Sequence, residues 1–385
     1  MNCEIKRREE PKMIVMDIRL DNFMAFKNFH MNMSYPKKIL NSYIEEEHLK
    51  DHPNFRYKKV NILMGANASG KTSFGRMLMN IFNFMDKKEM DRITRAICDT
   101  SKKAMFSMDF ITVEGDCLYR VITQIDPKTE EKYKDTDINI CVNHVKIGTK
   151  DSYETCSKRL NIQDCIMKKN FSEELGKIKG LSWLFEYPAD FGGVNKYSTY
   201  NNSIYLKVLE NTLKALDTSI IKVEKIRDVE NSFVIRMRNQ DVIIQDGKLT
   251  KSDILSSGTK AGIAIAGMVT AIINGENGFY YCDEKFSYIH TDIEKAFLSL
   301  MIQCLRKNDQ LFFTTHNTDI LDLPLPKHTF TFLKKDVNDD TESIKCVNAS
   351  EFLKRSTDSV KNAVENDLFS TAPSAELIYQ LEELK

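Results

Sequence analysis

Residues 60–72 read Val-Asn-Ile-Leu-Met-Gly-Ala-Asn-Ala-Ser-Gly-Lys-Thr, and the architecture of the chain turns on them. Val60 to Met64 is a short apolar run of the kind that forms a buried strand. Gly65 to Thr72 fits G-x-x-x-x-G-K-[ST], and the run after it, SFGRMLMNIFNFM, keeps its apolar residues on one helical face. Glycines at the turn let the backbone fold tightly, so that successive N–H groups and the helix N-terminus point at phosphate oxygens. The pattern therefore nominates Gly65, Asn67, Ala68, Ser69, Gly70, Lys71, Thr72 and Ser73 as phosphate-binding. Lys71 would bring positive charge to the β- and γ-phosphates, and the Thr72 hydroxyl would bind Mg²⁺. A chance match in a Gly/Ser turn would lack the flanking strand and helix.

Three later stretches extend the constellation. Phe279-Tyr280-Tyr281-Cys282-Asp283-Glu284 is an apolar strand ending in two carboxylates. Asp283 at such a strand end can serve a hydrated Mg²⁺, and Glu284 can polarise an attacking water. An isolated Asp-Glu pair is ordinarily a solvated strand end, but the strand before this pair is almost wholly apolar. Cys282 reads as core, not as a nucleophile. Leu311 to His316 is a second buried-type strand, ending in a histidine placed to sense a γ-phosphate, although a lone histidine is more often structural. Leu255-Ser256-Ser257-Gly258-Thr259 precedes a helix of small and apolar residues. Taken alone it is a helix cap, with Ser256 or Ser257 as N-cap.

In this order and spacing the four stretches resemble the ABC-type ATPases: Walker A, signature, Walker B with its glutamate, then a strand ending in histidine. The resemblance spans roughly residues 12–125 and 230–348. It implies an α/β P-loop NTPase head with a mixed sheet, N-terminal β-hairpins and a helical insertion. It implies ATP and Mg²⁺ as the bound species. Lys71, Glu284 and His316 would be catalytic, Thr72 and Asp283 metal ligands, and Ser256 and Gly258 contacts to the γ-phosphate held by a second head. The usual signature is Leu-Ser-Gly-Gly-Gln, from which this chain departs at Ser257 and Thr259. The opening Arg19-Leu20-Asp21-Asn22-Phe23 with Phe26, and Ser287 to His290 after the carboxylates, are similar to the SMC/RecF and overcoming-lysogenization-defect branch. A transporter energiser would carry a Gln-loop, for which Gln124 on a strand is a weak stand-in, and a D-loop reading Ser-Ala-Leu-Asp. There is no long heptad array for an SMC arm, and only about 70 residues follow His316, too few for a TOPRIM nuclease. The run His316 to Pro326, HNTDILDLPLP, resembles the stand-alone ATPases of bacterial anti-phage systems, which work beside a separately encoded effector, a nuclease or toxin.

The rest of the chain divides into an N-terminal lobe (1–125), an inserted, mostly helical subdomain (126–229), a C-terminal lobe (230–348) and a helical tail (349–385). Residues 14–34 and 104–125 read as hairpins, the second turning at Glu114-Gly115-Asp116. Residues 36–59 read as an exposed polar insertion, and 126–180 as mixed helix and loop. Ser203 to Leu216 reads as an amphipathic helix. Trp183, in LSWLFEYP, reads as core of the insertion, and Asp339-Asp340 as a hairpin turn.

The 385 residues carry 55 basic and 55 acidic side chains, so no global charge marks a nucleic-acid or membrane surface. Nine cysteines, an odd number without a C-x-x-C pair, argue against a zinc ribbon and against a disulfide framework, and read as free thiols in a reducing cytoplasm. No segment has the apolar length of a membrane span. The leading functional expectation is an ATP-hydrolysing sensor or scaffold, a homodimer or higher homo-oligomer closing on ATP, that controls an effector. The alternative is a RecF/SMC-like repair ATPase binding DNA directly.

Overall fold

The N-terminal alternation forms strands β1 (Met13–Asp21) and β2 (Phe29–Asn32), antiparallel with Leu20 opposite Phe29. Asn22, Met24 and Asn28 in the turn adopt left-handed backbone, and the Asn22 side chain ties the turn down by donating to the Asp99 and Lys103 carbonyls. The computed structural model in which these elements are seen describes residues 13–38, 42–112, 117–162, 165–187, 197–200, 202–338, 341–355, 357–369 and 376–381. The expected turns at 114–116 and 339–340 lie outside the described residues.

Residues 36–59 correct an expectation. They carry the small hairpin β3 (His48–Leu49) and β4 (His52–Arg56), and they bury Ile44, Leu49, Phe55 and Tyr57. Leu49, Phe55 and Tyr57 pack with Ile14, Met16 and Ile111 on one face of the first sheet, so a few apolar residues scattered among charges fill a real gap. Then come β5 (Val60–Met64), α1 (Lys71–Lys87), α2 (Met90–Arg95), β6 (Ala104–Thr112) and β7 (Cys117–Ile125). The 126–180 stretch contains a nine-residue strand, β8 (Ile138–Lys146), that pairs along all of β7, besides α3 (Tyr153–Ile162) and α4 (Phe171–Leu175). After these lie β9 (Trp183–Glu186), α5 (Ser203–Leu216), β10 (Ile220–Lys225), β11 (Ser232–Met237), β12 (Asp241–Gln245), β13 (Lys248–Leu249), α6 (Ser257–Asn274), β14 (Phe279–Asp283) and α7 (Thr291–Cys304). The chain continues through β15 (Gln310–Thr314), β16 (Phe330–Asn338), β17 (Thr341–Asn348), α8 (Ala349–Phe352), α9 (Val360–Glu365) and α10 (Glu376–Tyr379). Phe369 in the tail stacks on Phe332 of β16, which fastens that part of the tail to the head.

Three larger sheets result. The first is antiparallel, in the order β2-β1-β6-β7-β8; the central one runs β17-β16-β5-β15-β14-β9; the third runs β10-β11-β12-β13. In the central sheet β5, β14, β15, β16 and β9 are parallel, and β17 returns antiparallel. Every residue of β5, β14 and β15 is buried, as strands covered on both faces must be. Helix α1 supplies one cover. Its Phe74, Met77, Leu78, Ile81 and Phe82 recur at helical spacing and join Phe279, Tyr281 and Phe312 with the inner face of the first sheet. Helices α6 and α7 supply the other cover, over Tyr280, Cys282, Leu311 and Phe313.

Helix α6 is apolar almost all round because it serves two cores. Ile265, Met268 and Val269 face the central sheet, whereas Ile263, Ala264 and Ala266 face α5 and the third sheet. A Cβ on Gly262 would come within 2.4 Å of the Leu216 side chain, so a small residue there lets α5 approach. Two further expectations are corrected. Trp183 belongs to an edge strand of the central sheet and packs on Phe82, 5.4 Å between ring centroids, rather than in a separate core. Cys141 on β8 and Cys165 form a disulfide, with Cα atoms 5.9 Å apart; the Ile140–Lys168 bridge brings the two segments together, which spacing alone does not reveal. Cys98, Cys156, Cys282, Cys304 and Cys346 remain thiols. Among the described residues no helix is long and apolar enough to cross a membrane.

Phe82 is fully buried against Trp183, Phe185 and Phe279. Phe82→Ala is expected to destabilise the protein by about 3–5 kcal/mol, the usual cost of emptying a buried aromatic site. Denaturant titration followed by circular dichroism checks this, and a midpoint unchanged from wild type would contradict the packing.

Candidate functional site

The loop between β5 and α1 is shaped by residues that cannot be replaced without strain. Gly65 has φ +148°, and a Cβ there would lie 2.3 Å from the Leu333 carbonyl oxygen. Gly70, the N-cap of α1, has φ +101°, and a Cβ would lie 2.4 Å from the Ile344 side chain. Ala68 is also left-handed, at φ +63°. Both glycine positions thus combine a backbone region that disfavours side chains with no room for one.

Lys71 opens α1 and is only 3% exposed. Its Nζ donates to the Gly65 carbonyl at 2.8 Å and the Ala66 carbonyl at 3.2 Å, and lies 3.1 Å from Glu284 Oε1. From beneath, the Tyr281 hydroxyl donates to the Lys71 carbonyl at 2.8 Å and joins the helix start to β14. Asp283 ends that strand fully buried. Its Oδ1 accepts from the Thr314 hydroxyl at 2.6 Å, while Oδ2 has no hydrogen-bond partner. Burial raises the Asp283 pKa, and the Thr314 and Thr72 hydroxyls pull the other way. Ser69 Oγ is likewise buried without a partner. Glu284 follows with φ +40°, its N–H bonded to the Thr314 hydroxyl at 3.0 Å. A non-glycine residue held there is strained, and such strain gathers where a side chain must be aimed.

One cavity of about 560 Å³ is lined by Asn67, Ala68, Ser69, Gly70, Lys71, Thr72, Ser73 and Glu284, together with Ala25, Lys335 and Ile344. The last three carry no motif. Ala25 arrives through the turn after β1, bonded to Ile344 by its carbonyl, and Lys335 comes from β16, paired with Glu342. Only the Phe23…Phe26 turn hinted at Ala25; the two lysines closing HTFTFLKK look like any solvated strand end.

His316 is exposed just past β15 and shares with Glu284 a neighbouring cavity of about 230 Å³. Ser256 and Gly258 line neither cavity. Ser256 caps α6 by accepting from the Thr259 N–H at 3.1 Å, and a Cβ on Gly258 would lie 2.9 Å from the Tyr288 carbonyl oxygen. The signature stretch therefore sits against the turn that follows Glu284. Gln124 is in mid-strand on β7, opposite Met105 and Asn139, and lines neither cavity. Cys282 is buried with its thiol pKa pushed up by desolvation, as befits a core residue.

The residues present fit a nucleoside triphosphate with a divalent cation: two glycine positions that a Cβ would fill, a buried ammonium, and a buried carboxylate with one oxygen unpaired. Among the described residues no cluster of His, Cys, Asp and Glu would hold a metal unaided.

The fold is that of SMC head domains. An SMC head crystallised with the C-terminal winged-helix domain of ScpA superposes with a TM-score of 0.53, at 14% identity, over 88% of this chain and 99% of its own. The SMC head from Thermotoga maritima (13% identity, 87% and 99% covered, TM-score 0.43) and the recombination mediator RecF (10%, 88% and 100%, 0.43) are also similar. No protein-family model and no curated protein matches the sequence.

Lys71→Ala is expected to abolish binding of a fluorescent ATP analogue while leaving the fold intact by circular dichroism. Undiminished affinity would remove the Gly65–Thr72 loop from the phosphate-binding role.

Proposed function

We propose that this chain is an ATPase head of the SMC/RecF/overcoming-lysogenization-defect type, which binds ATP and a divalent cation at the Gly65–Thr72 loop and hydrolyses the γ-phosphate bond. The observation that carries the reading is the convergence of Lys71, Thr72, Asp283 and Glu284 from two distant strand ends. Asp283 Oδ2 and the Thr72 hydroxyl would hold the cation, which when bound neutralises charge between β- and γ-phosphate oxygens. Lys71 exchanges the Gly65 and Ala66 carbonyls and the Glu284 carboxylate for phosphate oxygens. That exchange releases Glu284 to orient water in line with the γ-phosphate, and His316 faces the same phosphate from the end of β15. Chemistry of this class is positioning and electrostatics, with little covalent work for the protein.

The same reading makes Ser256 and Gly258 contacts to nucleotide on a second head. Two facts support it: both are absent from this chain's own loop cavity, and the N-terminus of α6 is a serviceable phosphate donor site. Two heads would then close on two nucleotides and act as a sensor or scaffold for a separately encoded effector in anti-phage defence. The resemblance of residues 316–326 to stand-alone defence ATPases supports that last step. A phage-plaque assay on bacteria co-expressing chain and effector tests it, with protection expected for wild type and lost in Lys71→Ala.

Glu284→Gln should reduce turnover by about 10²–10³-fold, in the range seen when a group that stabilises or positions in the transition state is removed. It should also trap the ATP-bound state, so that its mass in solution doubles when ATP and Mg²⁺ are added and reverts with EDTA. Unchanged turnover would take Glu284 out of its role, and a mass independent of nucleotide would contradict closure on ATP.

A further inference from the structure

Glu294 belongs to none of the motifs, yet it is 4% exposed on the first turns of α7 and has both carboxylate oxygens engaged. Oε1 accepts from the Thr315 hydroxyl at 2.8 Å, and Oε2 accepts from Asn317 Nδ2 at 2.7 Å. Thr315 and Asn317 are the two residues flanking His316. Their hold is reinforced locally. The Asn317 N–H donates to Thr315 Oγ1 at 3.0 Å, its Nδ2 also reaches Thr291 Oγ1 at 3.3 Å, and its Oδ1 accepts from the Asp319 N–H at 3.0 Å, capping the short 3-10 turn at Thr318–Asp322. His316 itself is exposed, so packing on its own ring does not fix its direction. Glu284, Glu294 and His316 all line the cavity of about 230 Å³.

A carboxylate this deep is strongly unfavourable unless its oxygens are filled by donors. Here the donors that fill them bracket His316, which on the proposed function faces the γ-phosphate. We propose that Glu294 is a positioning residue for His316, a role that rests on the ATPase reading above. It clamps Thr315 and Asn317 to α7 and so fixes the backbone from which the imidazole projects. The chemistry calls for a carboxylate. Thr315 and Asn317 both present donors, and a glutamine at 294 that keeps its carbonyl on Asn317 Nδ2 would turn its NH₂ to the Thr315 hydroxyl, which would then have to accept from it as well as from the Asn317 N–H. The Thr315 hydroxyl is thereby turned from donor to acceptor, and the clamp is weakened rather than removed.

An ordinary helix-to-strand staple would show the same bonds, so the test is a double-mutant cycle on the full chain. Steady-state ATP hydrolysis is measured for wild type, Glu294→Ala, Glu294→Gln, His316→Ala and Glu294→Ala/His316→Ala, with affinity for a fluorescent ATP analogue measured in parallel. Glu294→Ala should lower kcat by about 10- to 100-fold, the scale of a catalytic group misplaced by an ångström, with affinity unchanged. Glu294→Gln should fall between it and wild type. In the His316→Ala background the Glu294→Ala change should alter kcat by less than about twofold, because residues acting through one another are not additive. If Glu294→Ala does not fold, Asn317→Ala replaces it in the cycle with the same expectation. Full additivity, or a loss of affinity with kcat preserved, overturns the positioning role alone. Wild-type protein that binds the analogue without hydrolysing ATP overturns the hydrolytic reading, and this role with it.

Discussion

A lysine only 3% exposed needs acceptors on every side of its ammonium, and the site is organised around meeting that need at Lys71. Two come from the carbonyls of Gly65 and Ala66, which turn inward only because the loop runs through left-handed backbone at Gly65, Ala68 and Gly70. The third is Glu284, itself held in a strained conformation by the Thr314 hydroxyl. Thr314 serves twice, since the same hydroxyl donates to Asp283. Loop, strand β14 and strand β15 are thereby bound into one unit, and the Tyr281 hydroxyl locks the start of α1 to it. On the proposed function a triphosphate would offer the ammonium better acceptors than those it has, so ligand and protein would compete for one cation. The outcome of that competition would decide whether Glu284 is bound or free.

Much of this could be read from the chain alone, where one physical signal dominated. The boundaries of α5 fell at Ser203 and Leu216, as the amphipathic spacing predicts, because the helix has one buried stripe and one wet face. Strands β5, β14 and β15 were legible as apolar runs because parallel strands covered on both faces admit little else. Where burial is one-sided and interrupted, the signal failed. Strand β8 buries Ile138, Ile140, Cys141 and Val145 but carries asparagine and histidine between them and ends on a lysine, and nothing in that pattern outweighs the charged residues around it. Phe55 and Tyr57 were hidden in the same way among lysines and glutamates.

The site divides along a similar line. Residues whose role follows from backbone geometry, such as the glycines and Lys71, stand at fixed spacing and are visible as a motif. Residues supplied from outside the motifs are not. Lys335 and Ala25 reach the same cavity from parts of the chain whose local sequence is ordinary. Glu294 is a glutamate on an amphipathic helix until the fold shows what its two oxygens accept. The disulfide between Cys141 and Cys165 depends likewise on a bridge that no spacing rule anticipates.

Strand β9 adds its four residues at the rim of the central sheet, beyond β14, and Lys285 fastens it there through Glu186 and the Tyr187 carbonyl. No interior strand of that sheet comes from the stretch between β8 and α6. The pairing of β5 with β15 and of β15 with β14 therefore uses no residue of this stretch. The arrangement is permissive: the floor formed by β5, β15 and β14 can be kept while the middle of the chain varies and presents new surfaces. This chain is 14% identical to an SMC head and superposes on it over 88% of its own length, so the fold is shared where the sequence is not.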